Sequence, residues 1–261
     1  MTDRYYKESM AWLARARRVT PGGAQTLSKR AERFPEGAYP VVADYGLGAH
    51  LHDLDGNGYV DWVCALGAIT LGYKHHRVEA VVERQLCDGV SFSLPHKIEI
   101  MAAEKLLTIV PWAEQVRFVK TGSEATEAAI RVARRATGRD HLVTVRGGYH
   151  SWHSWFQATR PQHPGIPDEY AILIDDFEYN NLESFYDACD FPREIAAVIL
   201  EPCLIEAPKP GFLQAIREKC AAEGIVLIFD EMVTGFRWAR AGGSEYFGVT
   251  PDLATYGKGL G

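Results

Sequence analysis

From about residue 76 onward, stretches of helical periodicity alternate with short apolar runs, and this alternation limits the fold more than any other feature. Helical patterns lie near 76–89, 97–109, 123–137, 181–189 and 210–223. Between them run Val116–Val119, His141–Val145, Ala171–Ile174, Ala197–Leu200, Ile225–Phe229 and Leu253–Tyr256. Strands that read as continuous apolar runs are buried on both faces. Joined through helices, they form βαβ units and a mostly parallel sheet. In such sheets ligands bind beyond the carboxyl ends of the strands. The informative residues should therefore stand just after the apolar runs.

The first 65 residues read differently. Residues 3–18 carry Tyr6, Met10, Leu13 and Ala14 at near-helical spacing, an amphipathic helix ended by Thr20-Pro21-Gly22-Gly23. Short strands follow over 41–63, with Asp55-Gly56-Asn57-Gly58 as a tight turn. The division expected is thus 1–65, a helix with small-domain strands, and 66–261, the sheet-bearing domain.

Bulk properties exclude several classes. The net charge of −6 argues against nucleic-acid or anionic-membrane partners. Cys64, Cys87, Cys189, Cys203 and Cys220 are scattered, odd in number and without a CxxC pair, so neither zinc nor a disulfide framework is indicated. Reduced thiols in a cytoplasmic protein are the plain reading. The charged stretch Met1–Arg18 does not read as a signal peptide, and no apolar run is long enough to span a membrane.

Four places carry chemistry. Thr121-Gly122-Ser123 follows an apolar run and opens a helix, whose free N–H groups and dipole favour an anion such as phosphate. An ordinary cap, Ser123 with Glu127 nearby, explains the same residues. Tyr149 in Gly147-Gly148-Tyr149-His150 is placed to stack on a planar ring, or to pack as a core tyrosine. Trp152, His153 and Trp155 beside it read as packing. Asp230 in Ile228-Phe229-Asp230-Glu231 ends a buried strand and needs a partner, either a cation such as a protonated pyridinium or backbone amides. Lys258, between Gly257 and Gly259, is either a nucleophilic amine able to form a Schiff base or a solvated loop lysine. Each signal is modest alone. Their order along the chain carries the weight.

That order resembles the class III aminotransferase family of pyridoxal 5′-phosphate (PLP) enzymes. Within it, the chain is most like the glutamate-1-semialdehyde aminomutase branch. The matching residues span nearly the whole chain: Pro21-Gly22-Gly23, Asp53-Leu54-Asp55-Gly56-Asn57, Thr121–Ala128, Gly148-Tyr149-His150, Glu201-Pro202, Lys209–Leu213, Phe229-Asp230-Glu231, Thr234–Arg237, Pro251-Asp252 and Gly257-Lys258. The resemblance implies the type I fold of PLP-dependent transferases, α/β with a parallel large domain and a small N-terminal α/β segment. It implies Lys258 as the Schiff-base lysine and later proton shuttle, and Asp230 as the partner of the pyridine nitrogen. Gly122 and Ser123 would bind the phosphate, Tyr149 would stack on the ring, and His150 would belong to the same cofactor site. Glu201 and Glu231 would either support the residues around the cofactor or lie on the substrate side, and Thr26 and Ser28 would lie on the substrate side. Met232 stands where the family usually has a valine against the other ring face. Cys203–Ala207 lacks the family's glycines. No metal is implied.

The activity implied is amino transfer from a donor to a ketone or aldehyde, within a homodimer. The alternatives are an intramolecular 2,1-aminomutase and, from another class, a non-catalytic scaffold with the same fold. A dinucleotide-binding domain fits poorly, since no G-x-G-x-x-G motif follows the first strand of the sheet. The sequence stops three residues after Lys258. The resemblance places a further strand, a C-terminal small domain and a phosphate-reaching threonine downstream. These residues are therefore read as a C-terminally truncated chain that is inactive alone.

Overall fold

In the computed structural model, residues 6–35, 39–150, 152–160 and 165–260 are described. The chain forms two compact units, Met1–Phe92 and Ser93–Gly261. The boundary drawn on the sequence at residue 65 falls inside the first.

The first unit opens with α1 (Lys7–Val19) and continues with three antiparallel strands, β1 (Ala43–Leu47), β2 (His50–Asp53) and β3 (Gly58–Val60). Two aspartates organise it. Asp53 is buried and accepts from the N–H groups of Asp55 and Asn57, the Asn57 amide and the Tyr59 hydroxyl. That closes the hairpin, with Gly56 at φ +81° where a side chain would be strained. Asp55 reaches the start of α1 instead, accepting from the Glu8 N–H at 2.7 Å and the Ser9 N–H at 2.9 Å. A carboxylate there satisfies helix-terminal donors and complements the dipole. A single left-handed turn, α2 (Cys64–Gly67), precedes α3 (His76–Asp88).

The second unit is built on five parallel strands in the order β5-β4-β6-β7-β8. They are β4 (His141–Val145), β5 (Ile174–Phe177), β6 (Ile195–Leu200), β7 (Val226–Glu231) and β8 (Leu253–Tyr256). Around them run α4 (Lys97–Ile109), α5 (Gly122–Thr137), α6 (Ser154–Gln157), α7 (Leu182–Asp187), α8 (Phe212–Glu223) and α9 (Gly243–Phe247). All six residues of β6 are buried. Alternate side chains point to opposite faces. On one face Val143, Val198, Leu200, Leu227 and Phe229 pack with Phe185, Phe212 and Ile216 of α7 and α8. On the other, Leu142, Ala197, Ile199 and Ile228 pack with Ala129, Ile130 and Ala133 of α5. Truncating a large side chain in either layer costs about 2–5 kcal/mol.

Three expectations change. Val116–Val119 pairs with no strand among the described residues. A strand exists only through its ladder partner, and here a cavity of about 820 Å³, lined by this segment and by β8, lies alongside. The run Ala171–Ile174 divides: Asp168–Leu173 is a 3-10 turn, and the strand begins at Ile174. Asp175 and Asp176 concealed it, because only Ile174 and Phe177 of this edge strand are buried. Finally, β7 continues through Asp230 and Glu231, paired with Thr255 and Tyr256.

Candidate active site

The carboxyl ends of β4, β6, β7 and β8 carry Tyr149 and His150, Glu201, Asp230, and Lys258 respectively. Asp230 is 2% exposed and accepts from three donors. The His150 Nδ1–H gives to Oδ2 at 2.9 Å, while the Met232 N–H at 3.1 Å and the Thr255 hydroxyl at 3.0 Å give to Oδ1. Oδ2 thus keeps acceptor capacity for one further cation. His150 is itself buried, and its Nε2 finds no partner among the described residues. It acts on the site through Asp230.

The period of two along β7 sends Glu231 to the other side. Its carboxylate is enclosed there, which fits the supporting one of the two places expected for it. Glu231 accepts from the Thr234 hydroxyl and from the backbone N–H groups of Gly243 (2.9 Å) and Ser244 (2.7 Å). Burial pushes its carboxyl upward and these bonds oppose the shift. Glu231 holds the loop between β7 and α9.

Glu201 follows β6, and its carboxyl receives the Tyr149 N–H. Burial raises it above the ordinary carboxylate range; Asp230 adds to this, and His150 and Lys258 oppose it. A carboxyl raised by folding is fully compatible with the fold below its unfolded value. It costs stability as pH rises through the folded one. Glu201→Gln should therefore raise the melting temperature relative to wild type, with a gain that grows as pH rises above the ordinary carboxylate range. A gain independent of pH would contradict the assignment.

The N-terminus of α5 is capped by Thr121, not by Ser123. The Thr121 hydroxyl accepts from the Glu124 N–H at 3.1 Å, and the Glu124 carboxylate accepts from the Thr121 N–H at 2.9 Å. This capping box leaves the first two helical residues, Gly122 and Ser123, with N–H groups that helix geometry leaves unbonded within the helix. The stretch after Tyr149 is laced to the same helix. The Trp152 N–H donates to Ser123 Oγ at 3.3 Å, His153 Nε2 lies 2.5 Å from the Ser123 carbonyl oxygen, and Trp155 Nε1 donates to Glu127 at 2.9 Å. The aromatic cluster thus bonds as well as packs.

Tyr149 is 58% exposed; its ring meets that of Phe156 edge-to-face at 5.8 Å between centroids, and the Arg160 guanidinium stands over it at 6.0 Å. Met232 lies against Gly122 and Gly257. Lys258 has φ +42°, in the left-handed region. The large cavity borders Gly122, Met232 and Lys258 but reaches none of Tyr149, Glu201 or Asp230. Thr26 and Ser28 belong to the first unit and are exposed.

Sequence reasoning missed Thr255 and Thr121. A lone threonine inside the apolar run Leu253–Tyr256 was the available signal for the first. The pair Thr121 and Glu124, three apart, was the signal for the second.

An open parallel sheet with helices on both faces, and an anion-ready helix start, a buried acid and a lysine at its strand ends, defines an α/β protein of the doubly wound class. The chain belongs to the class-III aminotransferase family, whose model matches residues 34–261. It is 37% identical over 260 residues to the 3-aminobutyryl-CoA aminotransferase of Cloacimonas acidaminovorans (strain Evry), covering 97% of this chain and 61% of that protein. It is 38% identical over 269 residues to the glutamate-1-semialdehyde 2,1-aminomutase of Desulfatibacillum aliphaticivorans, covering 98% and 63%. Among solved structures it superposes on the FumI protein of Sphingopyxis sp. MTA144, in its PLP internal aldimine form, with a TM-score of 0.90 and 30% identity, covering 97% and 61%. The chain spans about three fifths of the length of these relatives.

Proposed function

We propose that this protein is a PLP-dependent aminotransferase, moving an amino group from an amino donor to a ketone or aldehyde. The observation that carries the reading is Asp230: a buried carboxylate that already has three donors and keeps one acceptor position, one strand away from Lys258. That remaining acceptor position on a carboxylate fits the N–H of a protonated pyridine nitrogen. The N–H groups of Gly122 and Ser123 and the Ser123 hydroxyl fit a phosphate, and the exposed Tyr149 side chain fits stacking on a planar ring.

When bound, PLP supplies an electron sink for charge that develops at the substrate carbon. The residues do the rest. Asp230, held in place by His150 and Thr255, would keep the ring nitrogen protonated. Gly122 and Ser123 would anchor the phosphate. Tyr149 would lie against a face of the ring. The Lys258 amine would hold the cofactor and would be the group placed to move a proton at the substrate. Glu201 would serve the substrate side.

A second reading, intramolecular 2,1-aminomutase, is favoured by the 38% identity to the Desulfatibacillum enzyme. One experiment separates them. Aminotransfer consumes one external amino donor per acceptor converted; the aminomutase reading requires isomerisation of a single amino-aldehyde without a second substrate. Conversion of neither kind by the PLP-loaded protein, assayed at the length of its relatives, contradicts both.

We also propose a homodimer. On α3, Val78, Val81, Val82 and Leu86 form an exposed apolar stripe at helical spacing, the kind of surface a second copy covers. Free thiols at all five cysteines support a cytoplasmic setting. Among the described residues, no helix is long and apolar enough to cross a membrane.

A further inference from the structure

Gly122 and Gly257 flank the proposed site, and neither has a positive φ. Backbone conformation therefore does not require glycine at either position. Side-chain space does. A methyl group on Gly122 would stand 2.9 Å from Met232 Cε and 3.1 Å from its sulfur. A methyl on Gly257 would overlap the same sulfur and stand 3.0 Å from Cε. One thioether occupies the room that two absent Cβ atoms leave.

Met232 is held at both ends. Its backbone N–H donates to Asp230 Oδ1 at 3.1 Å, which pins its Cα beside the buried acid. Its side chain then reaches across to the first residue of α5 and to the residue before Lys258. A long, unbranched and polarisable side chain suits such an irregular gap. Lys258, at φ +42°, occupies a conformation that costs energy for a residue with a Cβ. Such conformations persist where the surroundings over-determine them.

We propose that Met232 is a positioning residue whose thioether sets where Lys258 stands relative to the α5 amides. It acts on the chemistry only through Lys258 and the helix start. The proposal rests on the PLP reading given above. It also assigns the methionine a task that a shorter valine at this position would not reach to perform.

The test is a double-mutant cycle in the protein, comparing Gly257→Ala, Met232→Val and the double variant. The readouts are PLP affinity by absorbance titration and melting temperature without PLP. Gly257→Ala forces the thioether aside and should weaken PLP binding about tenfold, toward the low end of what over-packing costs. In the Met232→Val background the same change meets open space, and the double variant should bind PLP within about threefold of Met232→Val alone. Melting temperatures without PLP should stay within a few degrees, since the displaced atoms end a flexible side chain. Should Gly257→Ala fold poorly, Met232→Ala provides the second measurement, with weaker PLP binding and lower kcat at unchanged melting temperature. Independent, multiplying effects of the two substitutions, or no effect of either, would overturn the proposal. Wild-type protein that binds no PLP would instead overturn the functional reading on which it rests.

Discussion

Lys258→Ala should leave the fold intact and abolish function. Lys258 sits between Gly257 and Gly259 after an edge strand, and no hydrogen bond or ion pair of its amine is found among the described residues. Removing a side chain outside the core and outside any network usually changes stability by about 0.5 kcal/mol or less. The cost therefore falls on chemistry. Losing the proton carrier alone lowers turnover about 10²–10⁴-fold, and loss of the covalent hold on the cofactor adds to it. The variant should also lose the visible absorbance of lysine-bound PLP while melting, without cofactor, close to wild type. A Lys258→Ala protein with wild-type absorbance and turnover would remove the cofactor assignment.

Asp230→Ala should be costly in both respects. It strands the buried His150 Nδ1–H, the Met232 N–H and the Thr255 hydroxyl at once. Breaking a buried pair by removing one partner costs about 3–5 kcal/mol, a fall in melting temperature on the order of 10 °C for a unit of this size. Asp230→Asn separates charge from shape. The Asn oxygen still accepts from Met232 and Thr255, and His150 can carry its proton on Nε2, which has no partner to lose. This variant should melt within a few degrees of wild type yet lose about 10²-fold or more in kcat/KM, because a neutral amide no longer balances the ring nitrogen's charge. Wild-type kcat/KM in Asp230→Asn, measured at matched PLP saturation, would contradict the role given to Asp230.

Much of this was legible in the sequence, because burial on both faces leaves a distinct signature. Strands β4 and β8 stand where their apolar runs predicted, and α4 matches its expected range. What was hidden had physical reasons. Strand β5 carries Asp175 and Asp176 on a sheet edge, where charges meet solvent and no apolar run forms. The run at Val116–Val119 has strand composition without a strand partner, and composition cannot report a missing neighbour. At the site, the residue types were readable but their directions were not. Asp230 and Glu231 are adjacent in sequence, and only knowing that β7 continues through both shows that they face opposite ways. Thr255 and His150 reach Asp230 from 25 and 80 residues away, which no local pattern encodes.

The central claim is that Lys258 is the lysine that carries PLP. The most direct measurement is borohydride reduction of the PLP-treated protein, followed by peptide mass mapping. Reduction converts the lysine–PLP linkage to a stable amine and leaves a permanent mark on the residue that held it. The expected result is a single phosphopyridoxyl mark on the peptide containing Lys258, at one per chain. A mark on another lysine in preference to Lys258, or no mark at saturating PLP, would contradict the account.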